Sequence, residues 1–235
     1  MAIRELRAVF WDLDGTLIDS EPLWHEAEIS IALANGGHWT EELGWKMSGT
    51  PVPKVAQMLV EAGTRLPAEE IGRQMIEYVA EHERAAMPWI PGAVELVRLL
   101  AAAGVPNVLV TASPRVMAEN VLRQAGEGAF AAYVCGDDNT AKKPSPEPYQ
   151  AAARKLGIDP TDLDAMAHCV ALEDSGVGLQ AAAASGATTV ALTGFTRTDA
   201  TGGPQFASIR DYDGVTVDSL DGFVRRRLAG GAAVQ

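Results

Sequence analysis

The sequence predicts an α/β protein in which a parallel β-sheet core carries one inserted all-α domain. From residue 87 onward, short apolar runs rich in valine alternate with segments of helical apolar spacing. Such alternation is typical of right-handed βαβ units and an open parallel sheet. Between residues 20 and 86, only the helical spacing is found. We therefore expect a Rossmann-like core from residues 1–19 and 87–235, and a helical insertion at residues 20–86.

Five segments have the pattern of buried strands, which is a brief apolar run ended by a turn signal. Each of the last four lies between predicted helices, so the strands should run parallel. The segments are RAVFWDLD (7–14), PNVLVTAS (106–113), AAYVCGDD (131–138), HCVALEDS (168–175) and ATTVALTG (187–194).

Eight further segments have apolar residues at helical spacing, with glycine or proline near their ends. The last of them is expected to be capped by Asp218 or Ser219. The insertion contains three of these helices, at 21–37, 51–63 and 67–86, and the core contains the others, at 92–104, 114–126, 145–157, 176–186 and 218–229.

Charge and the N-terminal sequence limit the classes of partner. Acidic residues outnumber basic ones by 31 to 19, and the net charge of −12 argues against a nucleic-acid surface. The N-terminal MAIRELRAVFWDLD has charges on both sides of a short apolar run, unlike a signal peptide or a membrane span. We expect a cytoplasmic protein that binds neither nucleic acid nor membranes and is a monomer or a weak homodimer.

Polar residues collect where the predicted strands end. In an open parallel sheet, the carboxyl ends of the strands lie at one edge, and reacting groups are found there. Ionising two neighbouring carboxylates costs free energy through their mutual repulsion, unless a cation neutralises them. The residues at these ends are Asp12 and Asp14, then Thr111, Ala112 and Ser113, then Glu173 and Asp174, with Lys143 before a proline-rich helix start.

These residue types suit phosphoryl transfer. Carboxylates from two strand ends can hold a hard ion such as Mg²⁺ together with a substrate phosphate. The hydroxyl of Thr111 and the ammonium of Lys143 can bind phosphate oxygens and stabilise developing charge. One aspartate of the first pair can attack phosphorus, and the other can carry a proton to and from the leaving oxygen. The expected partner is a small phosphorylated substrate.

Four motifs support this chemistry by resemblance to a known family. DLDGT, VTAS, KKPSPEPY and LEDS resemble, in order and spacing, the four motifs of the haloacid dehalogenase (HAD) superfamily. The resemblance covers nearly the whole chain, and the helical insertion resembles the C1 cap of that family. The KPSPEPY context resembles the group that includes phosphoglycolate phosphatases, sugar-phosphate phosphatases and β-phosphoglucomutases.

The resemblance implies a role for each motif residue. Asp12 would be the nucleophile that forms an aspartyl-phosphate, and Asp14 would be the general acid and then the base. Thr111 and Lys143 would hold the transferring phosphoryl group, with help from the Ala112 N–H. In the KPxPxxY context the lysine directly precedes a proline. Because Pro144 follows Lys143, the motif favours Lys143 over Lys142.

The resemblance also implies a metal site and a substrate site. Asp12, the backbone carbonyl of Asp14 and Asp174 would bind Mg²⁺, while Glu173 would act through a water or orient the ligands. The residues expected to contact substrate are Thr16, Ala112, Ser113 and Arg115 in the core, and Gly49 and Thr50 in the cap.

Three functions remain open. Because Asp14 is retained, the resemblance favours phosphoryl transfer over dehalogenation. The β-phosphoglucomutases have a cap loop of the form Gly-x-x-Arg, and here Gly49 matches but Val52 stands at the arginine position, with Lys54 after it. We therefore favour a Mg²⁺-dependent phosphatase of a sugar, polyol or glycolate phosphate over a phosphomutase. A non-catalytic HAD-fold binding protein is the alternative from another class.

Overall fold

A six-stranded sheet forms the centre of the larger of two units in the computed structural model, which describes residues 4–195 and 200–231. The strand order is β3-β2-β1-β4-β5-β6, and every neighbouring pair is parallel. This is the order of a Rossmann-like sheet, so the predicted fold class is confirmed. The strands are β1 (Ala8–Trp11), β2 (Asn107–Val110), β3 (Ala132–Val134), β4 (Cys169–Glu173), β5 (Thr188–Leu192) and β6 (Ala207–Ile209).

The strands at the centre of the sheet are buried along their whole length. Every residue of β1, β2, β4 and β5 is buried, as expected for parallel strands that helices cover on both faces. This explains why their sequences are continuous apolar runs rather than alternating ones. The one amide among them, Asn107, is satisfied because its Oδ1 accepts from the Trp11 indole N–H at 2.9 Å.

Residues Ser20–Pro88 form the second unit, and this unit is entirely helical. A buried carboxylate, Glu28, accepts a hydrogen bond of 2.8 Å from the Trp39 indole, and burial raises the pKa of Glu28 to about 7. Gly44 lets the backbone approach closely there, because a Cβ would lie 2.8 Å from the His25 ring. The helices are α1 (Glu21–Ala34), α2 (Glu41–Met47), α3 (Val52–Glu61) and α4 (Ala68–Ala85).

The remaining helices belong to the first unit, Met1–Asp19 with Trp89–Gln235. No helix within the described residues is both long and apolar enough to cross a lipid bilayer. That the second unit covers a substrate as a cap stays a prediction. The helices of the first unit are α5 (Ala93–Ala102), α6 (Arg115–Ala125), α7 (Glu147–Lys155), α8 (Leu163–Ala167), α9 (Gly176–Ala184) and α10 (Val217–Leu228).

The structure adds short elements to those predicted and corrects one helix cap. Helices α2 and α8 and strand β6 have seven, five and three residues, which is too short for a periodic apolar pattern to develop. The predicted capping of α10 by Asp218 or Ser219 is wrong. Thr216 is the N-cap, because its hydroxyl accepts from the Ser219 N–H at 3.2 Å, and the Ser219 hydroxyl oxygen accepts from the Thr216 N–H at 2.6 Å.

Candidate active site

The register of the sheet brings three strand ends together. Trp11, the last residue of β1, is paired with Leu109 of β2 and Leu172 of β4. The residues that follow these positions therefore leave the sheet at the same edge. Asp12 continues this pairing for one residue, because its N–H donates to the Leu172 carbonyl at 3.1 Å.

Lys143 lies between carboxylates from two of these strands. Its Nζ is 2.6 Å from Asp12 Oδ1 and 2.5 Å from Glu173 Oε1, and it also donates to the Val110 carbonyl at 3.0 Å. The side chain of Lys143 is 8% exposed, so these bonds form in a largely dry environment. The adjacent Lys142 donates to a backbone carbonyl instead. The structure thus brings Lys143, and not its neighbour, to the first aspartate.

The buried carboxylates at this edge of the sheet outnumber the single ammonium of Lys143. Burial, and after it the charge of Glu173, raise the pKa of Asp12 to about 7 against the opposing effect of Lys143. Burial alone would lower the pKa of Lys143, but Asp12 and Glu173 together raise it above its ordinary value. Within the described part of the chain, Asp12, Glu173 and Asp174 place carboxylate oxygens within 4.8 Å of one another. Three buried carboxylates beside one ammonium form a donor set that fits a divalent cation.

The second aspartate of the DLDGT motif is joined to the end of β2. Asp14 Oδ2 accepts a hydrogen bond of 2.6 Å from the Ser113 hydroxyl. The Ser113 N–H in turn donates to the Thr111 hydroxyl at 2.9 Å, and Ala112 lies between them in the chain. Asp14, Thr111 and Ser113 are therefore gathered in one place, as the sequence predicts for a site at the strand ends.

The turn after Asp14 allows Asp174 to approach. Gly15 has a φ of +84°, and a Cβ there would overlap the Asp174 carboxylate. The hydroxyl of Thr16 is 3.3 Å from Asp174 Oδ1, and Thr16 is fully buried. Thr16 therefore supports a candidate metal ligand directly, and this contact accounts for its hydroxyl.

Of the other predicted substrate contacts, Arg115 belongs to the first unit, and Gly49 and Thr50 belong to the helical unit. Arg115 begins α6, and its guanidinium is 2.7 Å from both the Tyr133 hydroxyl and Asp138 Oδ1. No hydrogen bond found among the described residues joins Arg115 to Asp12. Gly49 and Thr50 lie between α2 and α3 in the helical unit, where the Thr50 N–H donates to the carbonyl of residue 47 at 2.8 Å.

Glu173 is held by residues for which the sequence predicts no role. The Tyr149 hydroxyl donates to Glu173 Oε1 at 2.6 Å, and the Ser175 hydroxyl lies 3.3 Å from Oε2. Gly178 packs against the same carboxylate, because a Cβ there would overlap both of its oxygens. A signal for Tyr149 is present in the sequence: it is an aromatic residue with a polar tip in the first turn of the helix that follows Lys143.

We expect Gly178→Ala to disturb the site although alanine favours helices. The new methyl group must displace Glu173, which is fully buried and cannot move into solvent. We expect the free energy of unfolding to fall by about 1–3 kcal/mol, since overpacking outweighs the helix-propensity gain of about 1 kcal/mol. Chemical denaturation measures this change. Gly176→Ala is the matched control in the same helix, because a Cβ there has open space, and it should cost nothing. Equal stability of the two variants would contradict the packing argument.

Comparison with known proteins places these motifs in a family. A family model described as haloacid dehalogenase-like hydrolase matches residues 6–186. Hexitol phosphatase B of Escherichia coli (strain K12) is 31% identical over 189 residues, which is 77% of this chain and 81% of that protein. The phosphorylated carbohydrates phosphatase of Thermotoga maritima is 29% identical over 186 residues, covering 77% and 82% of the two chains. The resemblance drawn from the four motifs is thus confirmed, as is the expectation of a hydrolase.

The fold is shared with solved structures. The β-phosphoglucomutase of Clostridium difficile superimposes with a TM-score of 0.73 over 95% of this chain and 99% of its own. Its sequence identity is 16%, so this likeness concerns the fold alone.

Proposed function

Since the chain belongs to the haloacid dehalogenase-like hydrolase family, we propose that it is a Mg²⁺-dependent phosphatase of a small sugar or polyol phosphate. The observation that carries this proposal is the pairing of Asp12 with Lys143 at 2.6 Å beside a second aspartate, Asp14. One acid can attack phosphorus while the other manages the proton of the leaving group. The phosphatase names of the curated relatives support the same reaction class.

In the first half of the reaction, a carboxylate oxygen of Asp12 attacks phosphorus and the bond from phosphorus to the ester oxygen breaks. Asp14 gives its proton to that oxygen, so the leaving group departs as a neutral alcohol. Lys143, Thr111 and the Ala112 N–H hold the transferring group and stabilise the charge on its oxygens. The product of this step is an aspartyl-phosphate on Asp12.

In the second half, Asp14 is a carboxylate and can accept a proton from water. The water oxygen attacks phosphorus, the bond to the Asp12 oxygen breaks, and inorganic phosphate leaves. Asp14 is thereby protonated again and ready for the next turnover. The Ser113 hydroxyl, 2.6 Å from Asp14 Oδ2, fixes the orientation of this carboxyl group in both halves.

A divalent cation fits the donor set around Asp12. Asp12, the Asp14 backbone carbonyl and Asp174 would hold it, and Glu173 would orient the cluster. When bound, the cation supplies positive charge that favours ionised Asp12 and lowers the repulsion between carboxylates and phosphate.

Mg²⁺ is expected to stabilise the fold in proportion to the logarithm of its concentration. At about 100 times its Kd, the gain in unfolding free energy should be about 2.7 kcal/mol, and EDTA should remove it. Thermal unfolding with and without Mg²⁺ measures this gain. Asp174→Asn should lose most of it, whereas Asp164→Asn, whose side chain is 80% exposed in α8, should keep it. An equal Mg²⁺ effect in both variants would place the metal elsewhere.

The proposed function is tested by measuring phosphate release with Mg²⁺ from a panel of sugar, polyol, glycolate and nucleotide monophosphates. We expect release from a hexitol or sugar phosphate. The panel includes β-glucose 1-phosphate with a glucose 6-phosphate readout, because isomerisation without release would establish a mutase instead. Binding of phosphate esters with no turnover of any would favour a non-catalytic protein.

A further inference from the structure

Glu173 is a buried carboxylate whose two oxygens are both used by protein donors. Oε1 accepts from Lys143 at 2.5 Å and from Tyr149 at 2.6 Å. Oε2 is 3.3 Å from both the Ser175 hydroxyl and the Asp174 N–H. A fully buried carboxylate needs such partners, because an unpaired charge in the interior is costly. The position of Glu173, and with it one anchor of Lys143, therefore depends on these donors.

Tyr149 contacts both members of the pair formed by Glu173 and Lys143. Its side chain is fully buried in α7, and its hydroxyl is the donor nearest to Glu173 apart from the lysine itself. The Lys143 Nζ also lies 5.2 Å from the centre of the Tyr149 ring, within the range of a cation–π contact. Tyr149 therefore contacts Glu173 through its hydroxyl and the lysine ammonium through its ring.

We propose that Tyr149 is a positioning residue for phosphoryl transfer, because its hydroxyl occupies Glu173 Oε1 and so limits how strongly Glu173 draws Lys143 away from Asp12. This inference rests on the proposed phosphatase reaction. Without the hydroxyl, Oε1 has only the lysine as its donor, and the ammonium moves toward Glu173. Less positive charge is then available where the negative charge of the transferring group develops, and small displacements of such a group slow the chemical step.

The proposal is tested with Tyr149→Phe, which keeps the ring and removes only the hydroxyl. We expect kcat to fall roughly tenfold or more while KM stays within about twofold, because the lost interaction matters most in the transition state. A role in stability alone would lower the melting temperature and leave kcat unchanged. Unchanged kcat in a folded Tyr149→Phe protein would therefore overturn the proposal.

Two control variants separate positioning from stability. Tyr78→Phe removes another tyrosine hydroxyl that donates to a glutamate, Glu26, in the helical unit, and should leave kcat and KM unchanged. Val224→Ala truncates a fully buried side chain in α10 and should lower the melting temperature without changing kcat. A loss of kcat in Val224→Ala as large as that in Tyr149→Phe would mean that destabilisation alone explains the effect, and would overturn the proposal.

A binding measurement keeps the inference testable apart from turnover. Orthovanadate resembles the transition state of phosphoryl transfer, whereas inorganic phosphate resembles the product. In the presence of Mg²⁺, Tyr149→Phe should weaken orthovanadate binding, measured by the rise in melting temperature, by about the factor lost in kcat. Phosphate binding should change little. If the wild type hydrolyses no ester but this difference is found, the proposed function fails and the positioning role stands; equal losses for both anions would overturn the positioning role.

Discussion

Asp12→Asn is expected to reduce phosphate release by roughly 10⁴-fold or more, because losing the nucleophile removes the covalent route as a whole. The amide has nearly the size of the carboxylate but cannot attack phosphorus. Asp12 follows β1, whose residues are all buried, so the strand itself supports the position of the side chain. The measurement is steady-state phosphate release on the best substrate of the panel, with circular dichroism as the test of folding.

The control for this variant is an aspartate that plays no part in the site. Asp164→Asn makes the same chemical change at a residue that is 80% exposed and precedes β4. It should retain wild-type activity. Substantial activity in a folded Asp12→Asn protein would exclude Asp12 as the nucleophile.

Asp14→Asn is expected to slow hydrolysis of a sugar phosphate by about 10²- to 10⁴-fold, the range for loss of a general acid and base. The amide oxygen can still accept from the Ser113 hydroxyl, so the side chain should keep its orientation. Since an alkoxide is a poor leaving group, the first step needs the proton that Asp14 supplies.

The leaving group provides an internal control for this second variant. The phenolate of para-nitrophenyl phosphate leaves without protonation, so its release from Asp14→Asn should be much less impaired in the first turnover. The later step still lacks its base, and a burst of one nitrophenolate per chain should precede slow turnover. Equal impairment of both substrates with no burst would contradict the assignment of Asp14 as acid and base.

The fold could be predicted because its main elements have strong local patterns. The buried strand β1 is a continuous apolar run that ends before Asp12, and Gly15 marks the turn that follows. Helix α5 has a glycine near each end. Short elements such as α2 and β6 were missed, because their few residues show no period and tertiary contacts decide their conformation. The N-cap of α10 is predicted too late in the sequence, because Thr216, Asp218 and Ser219 are all residue types that cap helices.

Part of the site could be predicted, because the topology of the sheet brings the residues at its strand ends together. Residues at the carboxyl ends of neighbouring parallel strands meet at one edge, and this places Asp12 beside Glu173 without any knowledge of side-chain contacts. The ring of donors around Glu173 could not be predicted in the same way. The hydrogen bond from Tyr149 to Glu173 joins residues 24 positions apart in the sequence, and it depends on where α7 packs against the sheet. Arg115 is predicted to contact substrate, but in the structure it pairs with Asp138, and no local pattern in the sequence indicates this pairing.

The proposed mechanism requires Asp12 to carry a phosphoryl group during turnover. It is tested most directly by acid quenching of the enzyme while it turns over substrate, followed by mass measurement of the chain and its peptides. We predict one added phosphoryl group on the peptide that contains Asp12, removable by hydroxylamine and absent from Asp12→Asn. Phosphate release with no phosphoryl group on the chain, or with one on another residue, would contradict the proposed mechanism.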